Sequence, residues 1–83
     1  DKFIEMVING SPKAFEYYER FNKAIDSAVM LVYKMYSKYR ECKDTKKMLT
    51  GMRTCFEVYN GIVDGTMSDE YAIRYLMLKM IGD

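Results

Sequence analysis

The sequence predicts an all-α fold: a small helical bundle of three to four helices with one long central helix, formed as a single domain over residues 1–83. Three observations carry this expectation. Apolar residues recur at spacings of three and four along most of the chain, without a run of alternating β-formers. Asn-Gly, Ser-Pro and isolated glycines divide the chain into four segments. At 83 residues the chain is also well below the size at which proteins divide into several cores.

The first segment places Phe3, Ile4, Val7 and Ile8 on one helical face, and Asn9-Gly10 stops it because both residues tolerate left-handed backbone. Ser11-Pro12 starts the second: the serine oxygen can accept from free N–H groups, and proline in the first helical turn gives up no hydrogen bond. From Pro12 to Arg40 the pattern predicts one helix with a heptad seam of Phe15, Tyr18, Asn22, Ile25, Val29, Val32, Tyr36 and Tyr39. Asn22 is its one polar member. Ala14, Phe21, Ala28 and Met35 form a second stripe beside it, so this helix is apolar over half its circumference.

Asp44 or Thr45 can cap a third helix whose stripe runs through Met48, Met52, Cys55 or Phe56, Tyr59, Ile62 and Val63. Gly51 and Gly61 are expected to weaken it by about 1 kcal/mol each relative to alanine. Gly65 ends it. Thr66 or Ser68, with Asp69 and Glu70 in the following turn, starts a fourth helix through Tyr71, Ala72, Tyr75, Leu76, Leu78, Met80 and Ile81, closed by Gly82.

The second helix raises a problem of length. As an unbroken rod from Pro12 to Arg40 it would measure about 43 Å, whereas a compact chain of this size has a diameter of roughly 30 Å. A break near Asp26-Ser27, where neither residue is a strong helix former, is one resolution. The expectation adopted is the other: the rod stays whole, the remaining helices cannot cover its apolar half, and the seam from Phe15 to Tyr39 becomes a partner interface. A buried asparagine at a heptad position, which specifies register between paired helices, points the same way. The expected function is a non-enzymatic protein–protein interaction module, a homodimer or the small subunit of a larger complex, docking through helix 12–40.

Composition narrows the chemistry. Histidine is absent, which removes the commonest general base, the commonest metal ligand and the Ser-His and Cys-His nucleophile pairs. Glu16 with Glu19, or Asp69 with Glu70, could serve as acid–base pairs, yet such spacings are ordinary on amphipathic helices. No phosphate-binding glycine loop, nucleophile elbow or metal motif occurs. No catalytic residue, metal site or cofactor is therefore expected. Cys42 and Cys55 are expected to be two semi-buried thiols, with a single bridge between them as the alternative. With no uncharged apolar run of membrane-spanning length, a soluble chain without a membrane partner is expected, in an intracellular setting.

Charge supplies an alternative function. Lys34, Lys38, Arg40, Lys43, Lys46, Lys47 and Arg53 face only Glu41 and Asp44 within residues 34–53, so this stretch carries +5 and the rest −4 within a total of +1. Tyr33, Tyr36 and Tyr39 interleave with these cations, a combination that suits single-stranded nucleic acid. Lys46 and Lys47 at a helix start oppose the macrodipole, and with the free N–H groups there they could receive an anion. Contact with nucleic acid or phosphate is accordingly expected to use Tyr33, Lys34, Lys38, Arg40, Lys43, Lys46 and Lys47.

Overall fold

The computed structural model describes residues 1–82, which form five α-helices and one 3-10 turn and contain no strand. Helix α1 covers Lys2–Ile8, α2 Lys13–Phe21, α3 Ala28–Arg40, α4 Thr45–Val63 and α5 Asp69–Ile81, with the 3-10 turn at Asn22–Ala24. The Asp1 carboxylate starts α1 by accepting from the N–H groups of Phe3 at 2.9 Å and Ile4 at 3.3 Å. Ser11 Oγ accepts from the Lys13 N–H at 3.3 Å to open α2. Asp44 and Ser68 cap α4 and α5 through Lys47 and Tyr71 N–H groups, at 3.1 and 3.2 Å.

The long central helix expected over 12–40 does not exist. It divides into α2 and α3, with Phe21 leaving helical geometry (φ −123°, ψ 25°) and Ile25 and Ser27 extended. Locally, Asn22, Asp26 and Ser27 carry side chains that compete with helical hydrogen bonding. Globally, a rod of about 43 Å would project from a body whose extents are 30 × 28 × 22 Å, with a radius of gyration of 11.6 Å. Breaking it lets α2 fold onto α1 while α3 packs on α4 and α5. The new helix end is satisfied from elsewhere in the fold. Ser27 makes no side-chain cap, and the Asp69 carboxylate at the start of α5 accepts the Ala28 N–H at 3.4 Å. Asp26 in the break also pairs with Lys34 on α3 at 2.6 Å.

The core draws on every helix: Phe3, Ile4 and Val7 from α1, Tyr18 from α2, Leu31, Met35 and Tyr39 from α3, Cys55 and Val58 from α4, Leu76 and Met77 from α5. Gly51 of α4 belongs to it as a point of close approach, because the Tyr39 ring lies directly against its Cα. Glycine there is a packing requirement rather than only a weak link in the helix.

Candidate functional site

Helices α3 and α4 are joined by a short turn and run antiparallel, so that Tyr33 meets Tyr59 edge-on at 5.9 Å and Tyr36 meets Phe56 at 6.4 Å between ring centroids. With Val32 and Cys55 beneath, these four rings line an open apolar groove of about 310 Å³. Edge-to-face contacts hold the walls, and the rings' outer surfaces face solvent: Tyr33 is 60% and Phe56 61% exposed.

Helix α4 has apolar residues on two faces. One, with Gly51, Thr54, Cys55, Val58 and Gly61, is buried in the core. The other runs Leu49, Met52, Phe56, Tyr59, Val63 at spacings of three, four, three and four, a heptad seam. Its outer members are uncovered, Leu49 at 51% and Val63 at 66% exposure. Isolated exposed apolar residues are ordinary, but a seam along a 19-residue helix beside the exposed Tyr33 and the half-buried Tyr36 is a contiguous patch.

The interface expected along helix 12–40 is dispersed by the break. Tyr18 is buried beneath the Arg74 guanidinium, which sits 5.3 Å from its ring centre. Phe15 and Ile25 pack half-buried against the core, Val29 is half-buried, and Asn22 is exposed at the break instead of lying in a seam. Tyr39 is wholly buried. Only Val32 and Tyr36 of that set reach the groove. Tyr33, which the sequence grouped with the basic residues, joins them, and the other side comes from the third segment as Cys55, Phe56 and Tyr59; the three-and-four spacing of Phe56 and Tyr59 with Leu49, Met52 and Val63 was the available signal.

The basic residues divide likewise. Lys34 is committed to Asp26, whereas Lys38, Arg40, Lys43 and Lys46 are exposed and in no ion pair among the described residues. Lys47 is half-buried, and its N–H donates to Asp44 Oδ1, so a carboxylate occupies the helix start where an anion was expected. Of the three tyrosines interleaved with these cations, only Tyr33 offers an exposed ring.

The carboxylates singled out as acid–base pairs are engaged in structural contacts. Arg74 bridges Glu19 at 2.9 Å and Glu70 at 3.4 Å, Glu16 lies 3.8 Å from Arg20, and Asp69 caps α3. Both cysteines are free. Burial pushes the Cys55 thiol of the groove floor up to about 12, which favours its neutral form, and raises the Tyr39 phenol in the core as well. Among the described residues no group of three or more His, Cys, Asp or Glu side chains could hold a metal, and no helix is long and apolar enough to cross a membrane. No family model, curated protein or solved structure matches this chain.

Proposed function

We propose that this chain is a non-enzymatic protein–protein association module that receives an apolar helix in the α3–α4 groove. The observation that carries this reading is the seam Leu49–Met52–Phe56–Tyr59–Val63, exposed at Leu49, Phe56 and Val63 and half-buried at Met52 and Tyr59, alongside Tyr33 and Tyr36. A helix laid on that seam removes aromatic and aliphatic surface from water at roughly 25 cal/mol per Å². Its side chains enter between rings already fixed by one another, which lowers the ordering cost of association. The dock thus belongs to α3 and α4 together instead of to a rod from 12 to 40.

The test compares the tagged chain with its Phe56→Glu variant for self-association and for retention of other proteins. Phe56 is exposed, so the variant should keep wild-type helicity and change stability by no more than about 0.5 kcal/mol. Association that Phe56→Glu abolishes supports the reading. Its absence in the wild-type chain, or its persistence unchanged in the variant, overturns it.

A second reading, contact with single-stranded nucleic acid or phosphate at the α3–α4 corner, is favoured by the exposed Lys38, Arg40, Lys43 and Lys46, which form no ion pair among the described residues. It requires affinity for a single-stranded oligonucleotide that falls steeply with salt, and a shallower slope in a Lys43→Ala, Lys46→Ala double variant. A flat salt response rejects it.

A further inference from the structure

The charges around the groove are unevenly placed, and the register of α3 on α4 locates them. Tyr33 meets Tyr59 and Tyr36 meets Phe56. Carried on at the same antiparallel register, Arg40 falls opposite Met52, and Val29 opposite Val63. Arg40 therefore stands on the α3 rim of the groove, one turn beyond Tyr36. Arg53 borders the seam on the flank away from α3, four residues after Leu49 and three before Phe56. Lys43, in the turn between the helices, and Lys46, in the first turn of α4, add to the same end. All four cations are exposed, and none joins an ion pair among the described residues.

The neighbouring carboxylates are held elsewhere. Glu57 accepts from the Tyr75 hydroxyl of α5 at 2.9 Å, and Asp44 accepts from the Lys47 N–H at 3.1 Å. Asp64 accepts from the N–H and the hydroxyl of Thr66, at 3.0 and 2.7 Å. Glu41, in the cap of α3, lies about 100° around the axis from Arg40, on the side away from Tyr36. The groove thus has apolar walls along its length and a cationic end at the α3–α4 turn, with Val29, Asn60 and Val63 at the other.

Resting on the association reading, we infer that the occupant of the groove is an amphipathic helix of another protein, its apolar stripe on the α4 seam and its flanks acidic at the end set against Arg40 and Arg53. Glu or Asp on either flank of such a helix meets a guanidinium on either side of the seam. That pairing sets the direction of the helix in the groove and speeds encounter at low salt, whereas basic flanks would bring like charges together.

A helix suits the site better than the other class of polyanion, single-stranded nucleic acid. From Leu49 to Val63 the seam extends about 21 Å, the length of four helical turns. Apolar side chains at three-and-four spacing cover it from end to end. Bases stacked on Tyr33 would leave Leu49, Met52 and Val63 without a partner.

The test is a selection, on the immobilised full chain, from displayed amphipathic helices of about 18 residues. Each is apolar at i, i+4, i+7 and i+11 and carries Glu, Gln or Lys at the flanking positions. Survivors should carry Glu on the flanks of one end. A survivor made as a labelled peptide should bind an Arg40→Glu, Arg53→Glu double variant about tenfold more weakly, and that variant should prefer the Lys-flanked peptide. Phe56→Glu should abolish binding of the survivor. Circular dichroism checks the helicity of each variant; where reversal disturbs the end of α3, Arg40→Gln with Arg53→Gln takes its place, with a loss of about threefold. Survivors that depend on Phe56 but carry neutral or basic flanks, or whose affinity the double variant leaves unchanged, overturn the acidic partner and leave the association reading standing. Self-association through Phe56 with no helix retained does the same. An oligothymidine probe bound through Arg40 and Arg53, with no helix retained, assigns these cations to nucleic acid and overturns the acidic helix. Neither helix nor second copy bound through Phe56 overturns the association reading as well.

Discussion

Replacing a mid-helix glycine with alanine ordinarily stabilises a helix by about 0.8–1.0 kcal/mol, and by that measure alone Gly51→Ala should strengthen α4. The tertiary structure reverses the sign. A Cβ at Gly51 would overlap the Tyr39 ring, which is wholly buried between α3 and α4 and has no open direction in which to withdraw. Overpacking of this kind costs about 1–3 kcal/mol, so after the helix gain the net effect expected is destabilisation by up to about 2 kcal/mol. For a chain of this length that lowers Tm by up to about 15 °C. Gly61→Ala provides the control, because the Cβ there meets the half-buried Met67 side chain, with Cγ and Sδ at 2.7 Å. Met67 sits in the α4–α5 loop and can rotate away, so this substitution should be close to neutral. Urea and thermal unfolding of both variants measure the contrast. A Tyr39→Leu background, which removes the ring, should lessen the Gly51→Ala penalty. The reasoning is refuted if Gly51→Ala is at least as stable as wild type, or if its penalty survives unchanged without the ring.

Two further outcomes follow from the same region. The Tyr39 hydroxyl is buried and finds no hydrogen-bond partner among the described residues, so Tyr39→Phe should stabilise the fold by about 1 kcal/mol, checked by the urea midpoint at constant m-value. Alkaline pH should act in the opposite direction through Cys55. Its thiol ionises near 9 in the unfolded chain but is pushed up to about 12 by burial in the fold, so the stability it contributes is complete below about pH 9 and is lost as pH rises toward 12. Moving from about pH 8 to about pH 10.5 should therefore remove about 2 kcal/mol on account of this group, and Cys55→Ala should lack that portion of the pH slope. An identical slope in the two proteins would contradict the assignment. The raised Tyr39 phenol acts with the same sign at still higher pH.

The candidate surface was only partly legible. Tyr36 and Val32 stood in the expected seam, and Tyr59 and Phe56 stood in the stripe of the third segment, yet nothing in the sequence joins the two stripes. That requires α3 to lie antiparallel on α4. Nor could the pattern choose between Cys55 and Phe56 as the inward residue. They lie about 100° apart on the helix, and the position of α3 and α5 around α4 decides which is wholly buried and which is left to solvent. Tyr39 shows the converse: assigned to an outer interface by heptad spacing, it is instead the ring that fills the space above Gly51.

The sequence by itself determined what acts over a few residues: helical class, from apolar spacing; helix starts to within two residues, at Asp44 or Thr45 and at Thr66 or Ser68, of which the structure uses the Asp44 and Ser68 oxygens; and helix stops, from glycines that take positive φ at positions 10, 65 and 82. The tertiary structure decided what acts across the fold. Asn22, Asp26 and Ser27 are poor helix formers, but the break becomes favourable because a rod would leave its apolar half in water and because Asp69, distant in sequence, supplies the Ala28 N–H with an acceptor. Local hydrogen-bonding preference is written residue by residue, whereas coverage of apolar surface depends on where every other helix comes to rest.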